Sequence, residues 1–285
     1  MKIRAAIALL AVALACPASF AAEGHVLARK SGLPTPGTSV TVSAVREMNE
    51  AALTLEVGDK KLPGKVSSKE ASNEVLEVLS PVKARRTLTS KTTESRMVVM
   101  EHEQPGPEKA DPLQGVPVIL EEKDGKWTAT LEQGEATPEQ KPALEELAKK
   151  SNESEDLAIY GEAPRNPGEK WDVDLTKLPN FGGATDLKGT FVVEFLEVKE
   201  IQGISCAVLK TTVDLAGTTV KEGEEPVLHI KMKGEVLVNR SLADLIDLDS
   251  KMTAALDMEG QAGEGMKMKI AGPVTANRTA TIGKP

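Results

Sequence analysis

Between residues 228 and 270 the sequence alternates apolar and polar side chains in three successive segments. Leu228, Ile230, Met232, Val236 and Val238 alternate with His229, Lys231, Lys233, Glu235 and Asn239. Ile246, Leu248, Met252, Ala254, Leu256 and Met258 alternate with Asp247, Asp249, Lys251, Thr253, Asp257 and Glu259. Met266, Met268 and Ile270 alternate with Lys267 and Lys269. Successive side chains of a strand point to opposite faces, so a period of two sustained this long gives each strand one dry face and one wet face. Strands of about 10–15 residues are expected, against a usual 5–6. Such strands suit a long, curved antiparallel sheet or an open half-barrel that wraps its apolar face inward. The expected class is therefore mainly β, with one amphipathic helix near residues 138–150.

The rest of the chain fits that frame. Residues 38–132 read as polar N-terminal strands. Val40, Val42 and Ala44 alternate with Thr41 and Ser43, Leu53, Leu55 and Val57 alternate with Thr54 and Glu56, and Gly58-Asp59-Lys60 offers a turn. A helix over residues 46–53 is the alternative there. Residues 101–112, with three prolines, are expected as a loop. Asp124-Gly125 and Gln202-Gly203 sit between apolar runs and supply the positive φ of tight hairpins. Thr137-Pro138-Glu139-Gln140 opens the helix of residues 137–151: Thr137 caps, Pro138 takes the first turn and Gln140 closes a capping box. Trp171 is expected to plug one end of the core from a short strand within a long connection. Residues 187–283 are the C-terminal strands, and residues 22–285 are taken as a single domain.

The N-terminus directs the chain out of the cytoplasm. Lys2 and Arg4 precede an eleven-residue apolar run, Ala5 to Ala15, and Ser19-Phe20-Ala21 places small residues at −3 and −1 of a cleavage site after Ala21. Residues 1–21 are thus read as a signal peptide, and the protein as periplasmic or secreted. The run is too short to span a bilayer, so no transmembrane span is expected. Ala13-Leu14-Ala15-Cys16 loosely matches a lipobox, and lipidation of Cys16 would instead anchor the protein to the envelope. Without residues 1–21 the chain carries 33 basic against 43 acidic residues, a net charge of −10. That balance, with no basic stripe, excludes nucleic acid as a partner. Lys83 to Arg86 reads as a solvated strand end.

Candidate chemistry is sparse. Asp244, Asp247 and Asp249 lack the spacing of a calcium loop and read, like Asp172 and Asp174, as a wet strand face. His102 and His229 read as solvated, and Cys206 as a small hydrophobe within a strand. The methionines of the last sheet are soft enough for Cu(I), but fit better as lining of a core or cavity. No catalytic motif is present, so no enzyme activity and no cofactor are expected.

Pro167-Gly168-Glu169-Lys170-Trp171, the Gly203-Ile204-Ser205-Cys206 hairpin and the closing run of alternating strands resemble a group of uncharacterised exported bacterial β-rich proteins. More remotely, the strand pattern is similar to lipoprotein-carrier half-barrels of the LolA and LppX kind. That resemblance implies an antiparallel sheet curled over a helix, with acyl chains held in the gap. The expected function is an exported, non-enzymatic binding or carrier protein for a hydrophobic, lipid-like ligand. Its lining would be Met232, Ile246, Leu248, Met252, Leu256, Met258, Met266, Met268 and Ile270. The rival expectation is a structural or interaction module of the envelope whose apolar face is only its core. A cavity of roughly 300 Å³ or more between sheet and helix favours the carrier.

Overall fold

The computed structural model describes residues 24–283, except 31, 107–109, 153–154, 179–180, 182, 222–223 and 264. The chain runs β1 (Ser39–Val57), β2 (Lys60–Ser80), β3 (Lys83–Val99), β4 (His102–Pro105), β5 (Pro117–Lys123) and β6 (Lys126–Leu131). It continues with α1 (Gln140–Asn152), α2 (Asp156–Tyr160), β7 (Lys170–Asp172), β8 (Thr185–Ile201) and β9 (Ile204–Lys221). It closes with β10 (Glu224–Ser241), β11 (Asp247–Gly263) and β12 (Met266–Gly283). All twelve strands join one sheet of order β6-β5-β3-β2-β1-β12-β11-β10-β9-β8-β7, with β4 paired to β3. Every strand pairing is antiparallel, and the sheet does not close into a barrel.

Two meanders make up this sheet, and β1 zipped to β12 joins them, Ser39 standing opposite Gly283. The hairpin turns are those the sequence announces: Asp124 and Gly125, then Gln202 and Gly203, all have positive φ. The strands exceed expectation, β1 running 19 residues and β2 21. β1 carries a bulge. Met48 stands opposite Ser68 while Ala51 stands opposite Val66, so β1 carries one extra residue around Asn49 and Glu50, and Glu50 has φ 49°. An extra residue flips the side-chain parity. The even apolar series of Val40 and Val42 and the odd series of Ala51 and Leu53 therefore face the same way along one continuous strand. No helix forms over residues 46–53. The same shift lies opposite Pro273 of β12; a proline donates no ladder hydrogen bond and is tolerated where pairing is interrupted.

Residues 102–105, expected as loop, form β4 against the end of β3. Lys83, Arg85 and Arg86 are not free in solvent: carboxylates of Glu121, Glu77, Glu132 and Glu74 neutralise them. On the outer face, cross-strand pairs such as Lys61–Glu56 and Lys69–Glu47 keep the surface charged; exposed pairs of this kind contribute little stability each.

Three patches of the inner face are covered by other parts of the chain, or pack on residues that lead into it. Over β8–β10, the N-terminal arm (Leu27, Ala28), α2 (Tyr160) and the connection (Val173, Leu178) bury Phe191, Val193, Phe195 and Leu209. Trp171 packs half-buried at this core, its Nε1 donating to the Ile159 carbonyl at 2.8 Å and the Arg165 guanidinium lying 4.6 Å from its ring centroid. Over β5 and β6, α1 docks by Leu144, with Leu113 and Val118 beneath it. Its capping box is present: the Gln140 amide donates to Thr137 Oγ1 at 3.3 Å, and the Thr137 amide to Gln140 Oε1 at 3.1 Å. At its C-terminus the Asn152 side chain accepts from the Trp127 amide (2.8 Å) and donates to the Trp127 carbonyl (3.0 Å), filling part of the free edge of β6. Between these, Val40, Val42 and Ala280 pack with Leu76 and with Ile246, which immediately precedes β11.

Candidate functional site

One charged knot and one apolar face are the features with chemical potential. The knot lies where β10 ends. Arg240 continues the apolar register of Val236 and Val238 and is only 3% exposed. Its Nε donates to the Leu27 carbonyl (2.7 Å), Nη1 donates to Asp247 Oδ1 (2.7 Å), and Nη2 donates to Asp156 Oδ2. The guanidinium lies over Tyr160, 4.5 Å from the ring centroid. Arg29 donates to the Asp244 carbonyl, and Arg278 Nη1 donates to the Asp247 carbonyl at 2.6 Å. Burial holds the Asp156 carboxyl above its usual range despite the pull of Arg240, and burial likewise pushes the Tyr160 phenol up.

The expectation of a wet face for Asp244 and Asp247 is therefore corrected. The β10–β11 register shifts between Asn239 and Arg240, which sets Asp247 opposite Arg240. Asp244 is buried in the connecting turn, its amide donating to Ser241 Oγ at 3.1 Å. Asp249, beside Asn239, and Asp172 and Asp174 remain on wetter ground. Within the knot Asp156 and Asp247 neutralise Arg240, while Arg29 and Arg278 donate to backbone carbonyls. The knot ties the arm, α2 and β11 to the sheet.

The predicted lining residues share one face but not one cavity. Met232 packs on the large core, Ile246 on the small Val40–Ala280 cluster, and Leu248 is buried at the start of β11. Met252 walls a hollow of about 330 Å³ over the middle of the sheet, together with Val236, Ala44 and Ala276. Leu256 is half-buried opposite Gly272, and Met266 half-buried at the strand tip opposite Val57. Met258, Met268 and Ile270 join Ala51 and Leu53 in a further cluster with Met48, Leu55, Val66, Met97 and Val99. Every member of that cluster is a strand residue of the sheet itself, and no helix or arm residue joins it among the described residues; its centre, Ala51, Leu53 and Ile270, is buried by the flanking strands' own side chains, and its margin is partly exposed. A sheet's apolar face ordinarily packs against another element. Sequence reasoning left the β1–β3 residues of this face out of the predicted lining; in β1 the bulge divides the alternation into two short runs.

A second space, of about 530 Å³, opens between the sheet, the N-terminal arm and the ends of the helices. Leu33, Val42, Leu76 and Leu157 give it apolar walls, and Arg29, Asp156 and Arg278 bring the knot to its rim.

Cys206 is fully buried, and burial raises its thiol pKa. Cys206 pairs with Ser241 and His229 with Thr218, so the thiol and that imidazole stand near opposite ends of β9 and β10. His25 lies edge-on to Phe195 in the arm, with ring centroids 5.8 Å apart. Among the described residues no group of three or more His, Cys, Asp or Glu side chains is placed to hold a metal ion. Nor is any described helix long and apolar enough to cross a membrane. The signal segment and Cys16 lie outside the described residues.

No family model matches the sequence, and no curated protein matches it. Among solved structures the chain is similar to one of lipid–protein interactions in lipovitellin, at 10% identity and TM-score 0.46, covering 88% of this chain. This chain spans about a quarter of the lipovitellin chain, 26%. It is also similar to an outer membrane channel from Pseudomonas putida F1, at 8% identity and TM-score 0.25, covering 89% of this chain and 98% of that one. A third likeness, at 10% identity and TM-score 0.19, is to a β-barrel-like protein from Brucella abortus that contains a domain of unknown function, covering 86% and 98%. With TM-scores below 0.5, none of these likenesses bears on function.

Proposed function

We propose that the protein is an extracytoplasmic, non-enzymatic carrier or binding protein for a hydrophobic, lipid-like ligand laid along the inner face of the sheet. The observation that carries this reading is the cluster around Leu53 and Ile270, built from strand residues alone, with a partly exposed apolar margin around its buried centre. Its rim of half-buried aliphatic and thioether side chains leaves contiguous apolar surface open to a partner, and such surface marks interaction sites. Methionine adapts to irregular apolar partners, and Met48, Met97, Met258 and Met268 all stand there. The 530 Å³ space at the helical end extends the same face and exceeds the roughly 300 Å³ that a small ligand needs.

The test is native mass spectrometry of protein purified from its host without detergent, followed by solvent extraction. A defined lipid leaving with the wild-type protein, and absent from a folded Met252→Asp/Met268→Asp variant, is the expected result. A bare wild-type mass, or a lipid retained by the variant, overturns the reading. The same spectrum reports whether Cys16 has been removed or carries acyl chains.

A further inference from the structure

Midway along the inner face the apolar register is broken by two arginines on adjacent strands. Arg46 of β1 stands opposite Ala276 of β12, and Arg278 stands opposite Ala44. The two are therefore diagonal neighbours on one face, on the order of 7 Å apart at the backbone. Both line the 330 Å³ hollow, beside Val236 and Met252. Arg46 makes no hydrogen bond or ion pair among the described residues. Glu70, its cross-strand neighbour on β2, also lines the hollow, and its carboxylate lies 3.9 Å from Lys91 rather than on Arg46. Arg278 has the single hydrogen bond to the Asp247 carbonyl and no carboxylate partner. By contrast, Arg85, Arg86 and Arg240 each hold carboxylates. Two like charges set side by side repel each other, and a guanidinium pair fits an anionic oxygen group that both can fork onto.

From the arginines the apolar face runs toward the strand tips, by Met48, Leu53 and Leu55 on β1 and by Ile270 and Met268 on β12. From Arg46 to Val57 that track is roughly 33 Å long, at about 3.3 Å per residue with the bulge residue left out. We infer that the hollow holds the anionic headgroup of a single-chain amphiphile, gripped by Arg46 and Arg278, with its hydrocarbon chain laid along this track. The inference rests on the carrier reading and names the class of ligand.

Dodecyl phosphate, dodecanol and inorganic phosphate, each titrated into the full mature protein below micelle-forming concentrations, test it. Dodecyl phosphate is expected to bind roughly tenfold or more tighter than dodecanol, as one or two charge-assisted hydrogen bonds allow. Arg46→Gln, a change at an exposed position, is expected to abolish that preference and leave dodecanol affinity unchanged. Arg278→Gln, checked for an unchanged melting curve, is expected to act in the same direction. Equal affinity for the phosphate and the alcohol, or an unaltered preference in Arg46→Gln, overturns the headgroup assignment and leaves the carrier reading standing. Inorganic phosphate binding as tightly as dodecyl phosphate marks a bare anion site and overturns the amphiphile. Binding of neither chain-bearing probe overturns the carrier reading itself.

Discussion

Replacing Arg240 by methionine keeps much of the side chain's length and apolar stem and removes its charge. In the native protein that charge meets Asp156, Asp247 and the Leu27 carbonyl at a site 3% exposed. The variant leaves two carboxylates and a carbonyl facing an apolar group. Breaking a buried ion pair from one side costs roughly 3–5 kcal/mol, and for a chain of this size that lowers the melting midpoint by on the order of 10 °C. Urea unfolding followed by circular dichroism measures the loss. The pH dependence supplies an independent check. Burial already raises the folded pKa of Asp156, and Arg240 opposes that rise. Without Arg240 the folded value climbs further above the unfolded value of about 3.9. Between those two values the native state holds a proton that the unfolded state lacks, so stability falls as pH rises through the window. The deficit of the variant should therefore be full at neutral pH and shrink as the pH is lowered toward 4. A loss under about 1 kcal/mol, or a deficit that does not shrink in acid, refutes the account of Arg240 as the charged tie between arm, α2 and sheet.

Leu53→Ala, at a site 2% exposed, should cost roughly 2–5 kcal/mol in the same urea assay; a smaller loss would mean the cluster is too loosely packed to support the sheet. Asn152→Ala removes two hydrogen bonds from the outer edge of β6. Hydrogen exchange at the Trp127 amide should accelerate, with a stability loss of about 1–2 kcal/mol, and unchanged exchange would contradict the edge-filling role. Cys206, fully buried with its thiol pKa raised, should stay unmodified by a thiol reagent in native buffer and react at once in denaturant. Rapid native labelling would place it outside the core.

The long C-terminal strands were legible because their alternation is uninterrupted, and the Asp124-Gly125 hairpin and the Thr137–Gln140 cap because each is a local code. What alternation alone did not reveal were the places where it changes hand. Val40 and Leu53 have opposite parity, and only the bulge at Asn49–Glu50 reconciles them on one face; the proline at position 273 was the available hint from the partner strand. The arginines were hidden for a related reason. Arg46, Arg240 and Arg278 all fall in the apolar register of their strands; at buried Arg240 a charge is costly unless something meets it, whereas Arg46 is open to water. A charged residue in an apolar register is itself the signal. What meets each one, carboxylates for Arg240 and no carboxylate for Arg46, is decided by loops and strands distant in sequence.

The pairing of β1 with β12 also sets the order in which the molecule can come together. β1 pairs with β2 along one edge, but along the other it pairs only with β12, the last described strand. Until those two strands pair, each meander can form from neighbouring hairpins, but each presents one long bare edge, β1 on one side and β12 on the other. Contacts between such distant segments must pay their loop-closure entropy first, so the final zipping should be the slow step of folding. During that wait the two edges are templates for strands of other chains. A truncation that removes β12 would make the exposure permanent, turning a late folding intermediate into an aggregating end state.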